Sequence, residues 1–226
     1  MRRCHNRAIL TRMRQMITML ALLLAPATTG PALARDIAGQ FDYYVLALSW
    51  QPGWCSRTGD ARDAPECRDG TGRDFTVHGL WPQHERGWPQ DCPTRQRDPS
   101  RRDSAAMADV MGSGGLAWYQ WQKHGRCSGL SAADYYTATR QAAATVTIPP
   151  VFDDLARDVT LPPGVVEEAF LEANPGIEAD GITVICRDTA LTELRICLTR
   201  DLQPRACAPD TRRDCPLPRV LMEAVR

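Results

Sequence analysis

The chain has 226 residues, 43% of them apolar, with 27 basic and 27 acidic side chains and a mean hydropathy of −0.35. That is enough apolar material for one domain with a full core. The even charge balance does not fit a protein that coats nucleic acid over a broad basic face.

Residues 1–34 read as a signal peptide that is removed. Arg2, Arg3, Arg7, Arg12 and Arg14 make a positive start, Met16 to Ala25 is mostly apolar, and Ala32-Leu33-Ala34 fits a small-x-small cleavage site. The apolar run is shorter than a bilayer span, so no membrane anchor is expected in the mature chain. Residues 35–226 then form a single domain with 22 basic and 27 acidic residues, a net charge of −5. Any nucleic-acid contact is therefore expected to be a short, local site. Cys4 and His5 leave with the signal. Eight Cys remain, an even number that in an exported chain fits four disulfides. No Cys-x-x-Cys occurs, so neither a metal site nor a cofactor is expected, and the sequence by itself leaves the disulfide connectivity open. Lys123 is the only Lys in the chain, the remaining basic residues being Arg.

Along the mature chain, Tyr43 to Trp50 alternates in bulk and reads as a buried strand. Residues 56–74 are polar and read as a loop pinned by Cys55 and Cys67. Phe75 to His78 reads as a second strand, ending at Gly79. Residues 83–104, rich in Pro, Arg, Gln and Asp, read as a long surface loop. Ala105 to Met111 and Ala117 to Lys123 have helical character. Ser131-Ala132-Ala133-Asp134 resembles a capping box opening a helix to about Thr145. Val165 to Ala173 is a further helix, stopped by Asn174-Pro175-Gly176. Ile182 to Cys186 and Leu191 to Leu198 are strand-like, with a turn between them, and the tail from Gln203 is rich in Pro and Cys. Strands and helices without a βαβ rhythm predict an α+β fold.

Two segments concentrate reactive side chains: Phe75-Thr76-Val77-His78-Gly79-Leu80-Trp81-Pro82 and Trp121-Gln122-Lys123-His124-Gly125-Arg126-Cys127. A pair of His moves protons on and off oxygen near neutral pH, and an adjacent Lys holds a developing anion. The trio points to phosphoryl transfer without a metal. If Ala117 to Gly125 is helical, Gln120 and His124 share one face, Tyr119 and Lys123 the neighbouring one, and Trp121 buttresses the His124 ring. A single His in either place is as readily a hydrogen-bonded structural residue; the pair carries the argument. His84 adjoins a polar loop and is expected to be solvated. Trp50, Trp54, Trp88 and Trp118 read as core or loop packing, and Arg95, Arg97, Arg101 and Arg102 as a solvated loop.

These two segments resemble the active-site segments of the ribonuclease T2 family. The resemblance extends to Asp42–Trp50 with Cys55, to Ala173-Asn174-Pro175-Gly176-Ile177, and to the closing Cys186, Cys197, Cys207 and Cys215, so it covers essentially residues 41–216. It implies one α+β domain, a central antiparallel sheet with surrounding helices, stapled by four disulfides: Cys55–Cys67, Cys92–Cys127, Cys186–Cys215 and Cys197–Cys207. It also implies a metal-free endoribonuclease; with the signal segment, the reading is an exported, broad-specificity enzyme acting on single-stranded RNA in the periplasm or medium, expected to be a monomer. His124 resembles the base that takes the 2′-hydroxyl proton, His78 the acid that protonates the 5′-oxygen, and Lys123 the cation facing the phosphorane. Trp81 resembles a base-stacking residue, although a core Trp behind the site is the alternative, and Gln83 is placed to touch a base edge. The sequence departs from the family where His-Glu commonly precedes the Trp of the second segment: here stand Tyr119 and Gln120. Gln120 retains a hydrogen-bonding amide but no anion, and losing that anion disfavours protonation of nearby His. Tyr119 still offers a hydroxyl to phosphate. The departure motivates a rival reading, a ribonuclease-fold module that binds RNA or protein with little turnover. A purely structural disulfide-rich domain would leave both segments unexplained.

Overall fold

The structure, a computed structural model, describes residues 36–226. The expected signal segment, residues 1–34, lies outside the described residues. The strands are β1 (Tyr43–Trp50), β2 (Phe75–Gln83), β3 (Val159–Leu161), β4 (Ile182–Arg187), β5 (Ala190–Leu198) and β6 (Val220–Met222). The α-helices are α1 (Gln51–Trp54), α2 (Arg101–Ala105), α3 (Ala108–Met111), α4 (Gly114–Lys123), α5 (Ala132–Ala144) and α6 (Pro163–Ala173). Among the described residues no helix is long and apolar enough to cross a membrane.

β1 is central: it pairs antiparallel with β2 on one side and β5 on the other, and β4 pairs antiparallel with β5. β6 meets the start of β5 in parallel at Ala190–Leu221 and pairs with β3. Side chains alternate across a strand, so β1 divides its residues between two faces. Tyr44, Leu46, Leu48 and Trp50 enter the main core, with Val166 and Phe170 of α6 and Tyr135 and Tyr136 of α5. Tyr43 and Val45 face a smaller cluster with Cys197, Cys207 and Ala208. Trp50, Phe75, Phe152 and Phe170 form a knot of rings with centroids 5.0–6.4 Å apart. α5 starts as its sequence predicts, the Ser131 hydroxyl accepting the Asp134 amide hydrogen. The Tyr135 hydroxyl donates to the Leu80 carbonyl and ties this helix to β2.

The four disulfides join Cys55 to Cys67, Cys92 to Cys127, Cys186 to Cys215 and Cys197 to Cys207. The Cys92–Cys127 bridge fastens the loop after β2 to the 3₁₀ turn that follows α4.

Several local expectations change. β2 does not stop at Gly79 but runs to Gln83, because β1 supplies partners as far as Tyr43–Gln83. The stretch read as a loop over 83–104 contains the start of α2, opened by a full capping box between Ser100 and Asp103. The helix expected over 105–111 is broken into α2 and α3. Residues 55–67 are short π- and 3₁₀-helical turns rather than open loop. β3 and β6, three residues each, give no periodic signal of their own.

Asp74, just before β2, has its pKa pushed up to about 6 by burial and then by the hydrogen-bonded carboxyl of Asp153. A carboxyl that binds its proton more tightly folded than unfolded adds stability at low pH and loses it as pH rises through 6. Between pH 5 and pH 8 this costs about 1 kcal/mol, after allowing for solvent screening at a pair only partly buried. Asp74→Asn is expected to remove that loss. Urea unfolding at the two pH values reads it; a variant whose loss equals the native one contradicts the assignment.

Candidate active site

The site is built on the face of the sheet opposite the main core. Ala47 of β1 pairs with Gly79 and Leu48 with Val77, so His78 is an extra residue in β2. Such a bulge shifts the inside–outside alternation by one. Phe75, Val77 and Leu80 therefore all reach the main core, while Trp81 falls on the other face.

His78 is about a third exposed, and its Nδ1 lies 2.5 Å from Oε2 of Glu193 on β5. β5 has its own extra residue, Thr192, since Ile185 pairs with Glu193 and Cys186 with Leu191. Glu193 is only 6% exposed. Its other oxygen accepts from Nε of Arg195, two residues on and on the same strand face, at 2.6 Å. Burial pushes the Glu193 carboxyl up, but His78 and Arg195 more than reverse this and leave it below the usual carboxylate range. An ionised Glu193 only accepts, so Nδ1 of His78 donates to it and Nε2 is left for other work. The Arg195 guanidinium sits 5.2 Å from the centroid of the Trp81 ring.

Trp81, in the first segment, stands near both imidazoles. Its ring is 5.2 Å from that of His78 and 5.2 Å from that of His124. Its Nε1 donates to the side-chain carbonyl of the buried Gln120 at 2.7 Å. Gly79 makes this bond possible: a Cβ there would stand 2.4 Å from Nε1 of Trp81 and 2.5 Å from Oε1 of Gln120.

α4 supplies the remaining groups. Ser113 caps its start, and its last turn carries Tyr119, Gln120 and Lys123, with His124 closing the helix through a 2.9 Å bond from its backbone N–H to the Gln120 carbonyl. Gly125 lets the chain turn beneath the site, where a Cβ would meet the Trp121 and Tyr135 rings at 2.7–2.8 Å. Lys123 Nζ donates to the exposed Tyr119 hydroxyl at 3.3 Å. The His124 ring is buried, with no hydrogen-bond partner at Nδ1. Burial, then the positive charges of Lys123 and His78, push its pKa down to about 3, against a weaker opposing pull from Glu193.

The structure thus brings together His78, Trp81, Gln120, Lys123 and His124. A cleft of about 290 Å³ on the His124 side is lined by Trp81, Gln83, Trp88, Lys123, His124 and Arg195, among others. A second, of about 270 Å³, lies on the His78 side. Tyr119 is 49% exposed and approaches the site through Lys123. Trp121 does not support the His124 ring as expected. It is fully buried, its ring packs on Tyr135 and its N–H donates to Asp98, so the ring beside His124 is that of Trp81. His84 is 38% exposed and 3.7 Å from Asp42. Trp50 is core, but Trp54 and Trp88 line the clefts and Trp118 is exposed. Sequence reasoning missed Glu193. The available signal was the one acid of a largely apolar strand, at a place whose neighbours Leu194, Ile196 and Leu198 are all core.

The family model described as the Ribonuclease T2 family matches residues 41–207. A protein named Ribonuclease from Aeromonas hydrophila is 40% identical over 124 residues, 55% of each chain. Ribonuclease I of Escherichia coli (strain K12) is 35% identical over 159 residues, covering 52% of this chain and 59% of that one. The chain spans about half the length of the curated relatives it matches. An RNase-related protein from Calystegia sepium superposes with a TM-score of 0.65 at 18% identity, covering 83% of this chain and 99% of that one, a likeness of fold.

The low His124 pKa has a consequence for stability. An unfolded imidazole takes its proton near 6.5 and the folded one near 3, so between these values the unfolded state holds more protons and stability falls as pH drops. From pH 7 to pH 5 the loss at this residue is about 2 kcal/mol. His124→Gln is expected to reduce the acid loss by that amount, and the His124 ring resonances to stay at the neutral position down to about pH 4. A titration near 6.5 in the folded protein contradicts the buried, neutral imidazole.

Proposed function

This chain belongs to the ribonuclease T2 family, and on that footing we propose that it is an exported endoribonuclease that needs no metal. It cleaves single-stranded RNA by transphosphorylation, leaves 2′,3′-cyclic phosphate ends and tolerates any base. The observation that carries this reading is the contrast between two imidazoles on either side of Trp81. One is buried and neutral beside a Lys; the other is partly open and anchored to an ionised carboxylate.

In this reading the ribose 2′-oxygen attacks phosphorus in line and the bond to the 5′-oxygen breaks. Base and acid must stand on opposite sides of phosphorus, and the two His come from separate elements flanking one ring. His124 takes the 2′-hydroxyl proton. Its desolvation holds the free imidazole in the neutral form a base requires, and the negative phosphodiester, bound beside Lys123, raises its proton affinity towards the working range. His78 delivers the proton to the departing 5′-oxygen, its ring fixed by Glu193. Lys123 faces the charge that develops on the phosphorane. Gln120 acts mainly by holding the Trp81 edge, which accounts for an amide serving where relatives commonly carry an acid. Requiring the 2′-hydroxyl as nucleophile restricts the reaction to RNA. Trp81, Trp88 and Gln83, lining the His124-side cleft, offer ring faces and an amide to the base, and stacking is indifferent to base identity. Removal of residues 1–34 as a signal peptide accords with four disulfides, which persist outside the reducing cytosol.

Mature protein in excess chelator is expected to digest single-stranded RNA to fragments with 2′,3′-cyclic phosphate ends, identified by mass spectrometry, and to leave DNA intact. An absolute need for an added divalent cation overturns the mechanism. RNA binding without cleavage instead supports the low-turnover reading motivated by Tyr119 and Gln120.

A further inference from the structure

The cleft on the His78 side is more basic than the proposed reaction needs. It is lined by Arg57, Arg187 and Arg195, together with Trp54, Thr192 and the catalytic candidate His78. Arg195 is bound to Glu193. Arg57 is bound to Glu223 at 3.3 Å. Arg187, at the end of β4, makes no ion pair or side-chain hydrogen bond among the described residues. Burial lowers the pKa of Arg57, Glu223 opposes this, and the charge of Arg187 then adds to the lowering, with a smaller opposing pull from Asp188. The protein therefore holds two guanidinium groups near one another beside a cleft, one bonded to Glu223 and the other to no anion among the described residues, in a mature chain expected to be acidic overall.

Both are carried on fixed backbone. Arg57 follows Cys55, bridged to Cys67, by two residues, and Arg187 directly follows Cys186, bridged to Cys215. Neighbouring cations on firm supports, one with no partner, are what an anion-binding position requires. The location identifies the anion. Resting on the reading above, the nucleoside released with the 5′-oxygen lies on the His78 side, and in an RNA chain it carries the next phosphodiester on its 3′-oxygen.

We propose that Arg57 and Arg187 form a second phosphate subsite, which holds the phosphate group 3′ to the leaving nucleoside. It favours substrates that continue past the scissile bond, and so favours cutting inside an RNA chain over trimming its last residue. Its strength falls with salt, because Arg187 is exposed at the cleft rim and the Arg57 side chain is only half-buried there.

Binding of uncleavable deoxydinucleotides isolates this subsite from catalysis. Calorimetry would compare d(UpA) with the same molecule bearing a 3′-terminal phosphate, at low ionic strength, on the native mature protein, on Arg187→Gln and on Arg57→Gln. The 3′-phosphate is expected to tighten Kd about 10-fold for the native protein. The gain is expected to fall to about twofold or less in Arg187→Gln, and to shrink in Arg57→Gln. Equal affinity of the two ligands for the native protein overturns the subsite, as does a gain that survives Arg187→Gln. Neither outcome depends on cleavage, so failure of the RNA digest and failure of this subsite are read separately.

Discussion

One inserted residue organises the site. With His78 as an extra residue in β2, the strand changes faces between Val77 and Leu80 while both remain in the main core. A β2 without the bulge, paired continuously, would place Leu80 on the site face and drive Trp81 into the core. The bulge keeps the core filled and delivers His78 and Trp81 together to the same side of the sheet. Everything else at the site is arranged around that pair. Glu193 meets the His78 ring, Gln120 meets the Trp81 edge across the space that Gly79 leaves open, and Arg195 joins Glu193 to the Trp81 face.

From this frame come two imidazoles with opposite surroundings. His78 looks into the clefts and is held at one nitrogen by an ionised carboxylate. His124 closes α4 in a buried place, beside the chain's only Lys. Groups whose environments differ in this way are suited to divide acid from base work. The disulfides serve the same end. Cys92–Cys127 ties the segment after β2 to the segment after α4, so the elements that carry the two His do not drift apart. The Asp91 amide bonded to the Lys123 carbonyl adds a second tie at that junction.

Much of this was legible in the residues. The alternation of Tyr43 to Trp50, the cap at Ser131 and the stop at Asn174-Pro175 are local signals, and each stands where it was read. The two His-bearing segments were visible as words, and the disulfide pairing followed from resemblance rather than from spacing. What escaped depends on contacts between distant segments. A bulge is defined by the partner strand, so residues 75–83 taken alone give no sign that β2 continues past Gly79. Glu193 is 115 residues from His78 and gains its meaning only when β5 lies against β1. Trp121 and Trp81 are alike in composition terms, and the burial of one and the placement of the other were decided by tertiary packing. β3 and β6 exist because they pair with each other, not because three residues have a period.

The central claim is the division of labour between His78 and His124. A substrate whose leaving group is already a good one tests it most directly, because such a group departs without being protonated. Rates for native protein, His78→Ala and His124→Ala would be compared on a uridine dinucleotide and on uridine 3′-(p-nitrophenyl phosphate). The account predicts losses of about 10²–10⁴-fold for both variants on the dinucleotide, with His78→Ala alone returning to near-native rate on the aryl ester. Restoration of His124→Ala instead, or equal losses of both variants on both substrates, would contradict it.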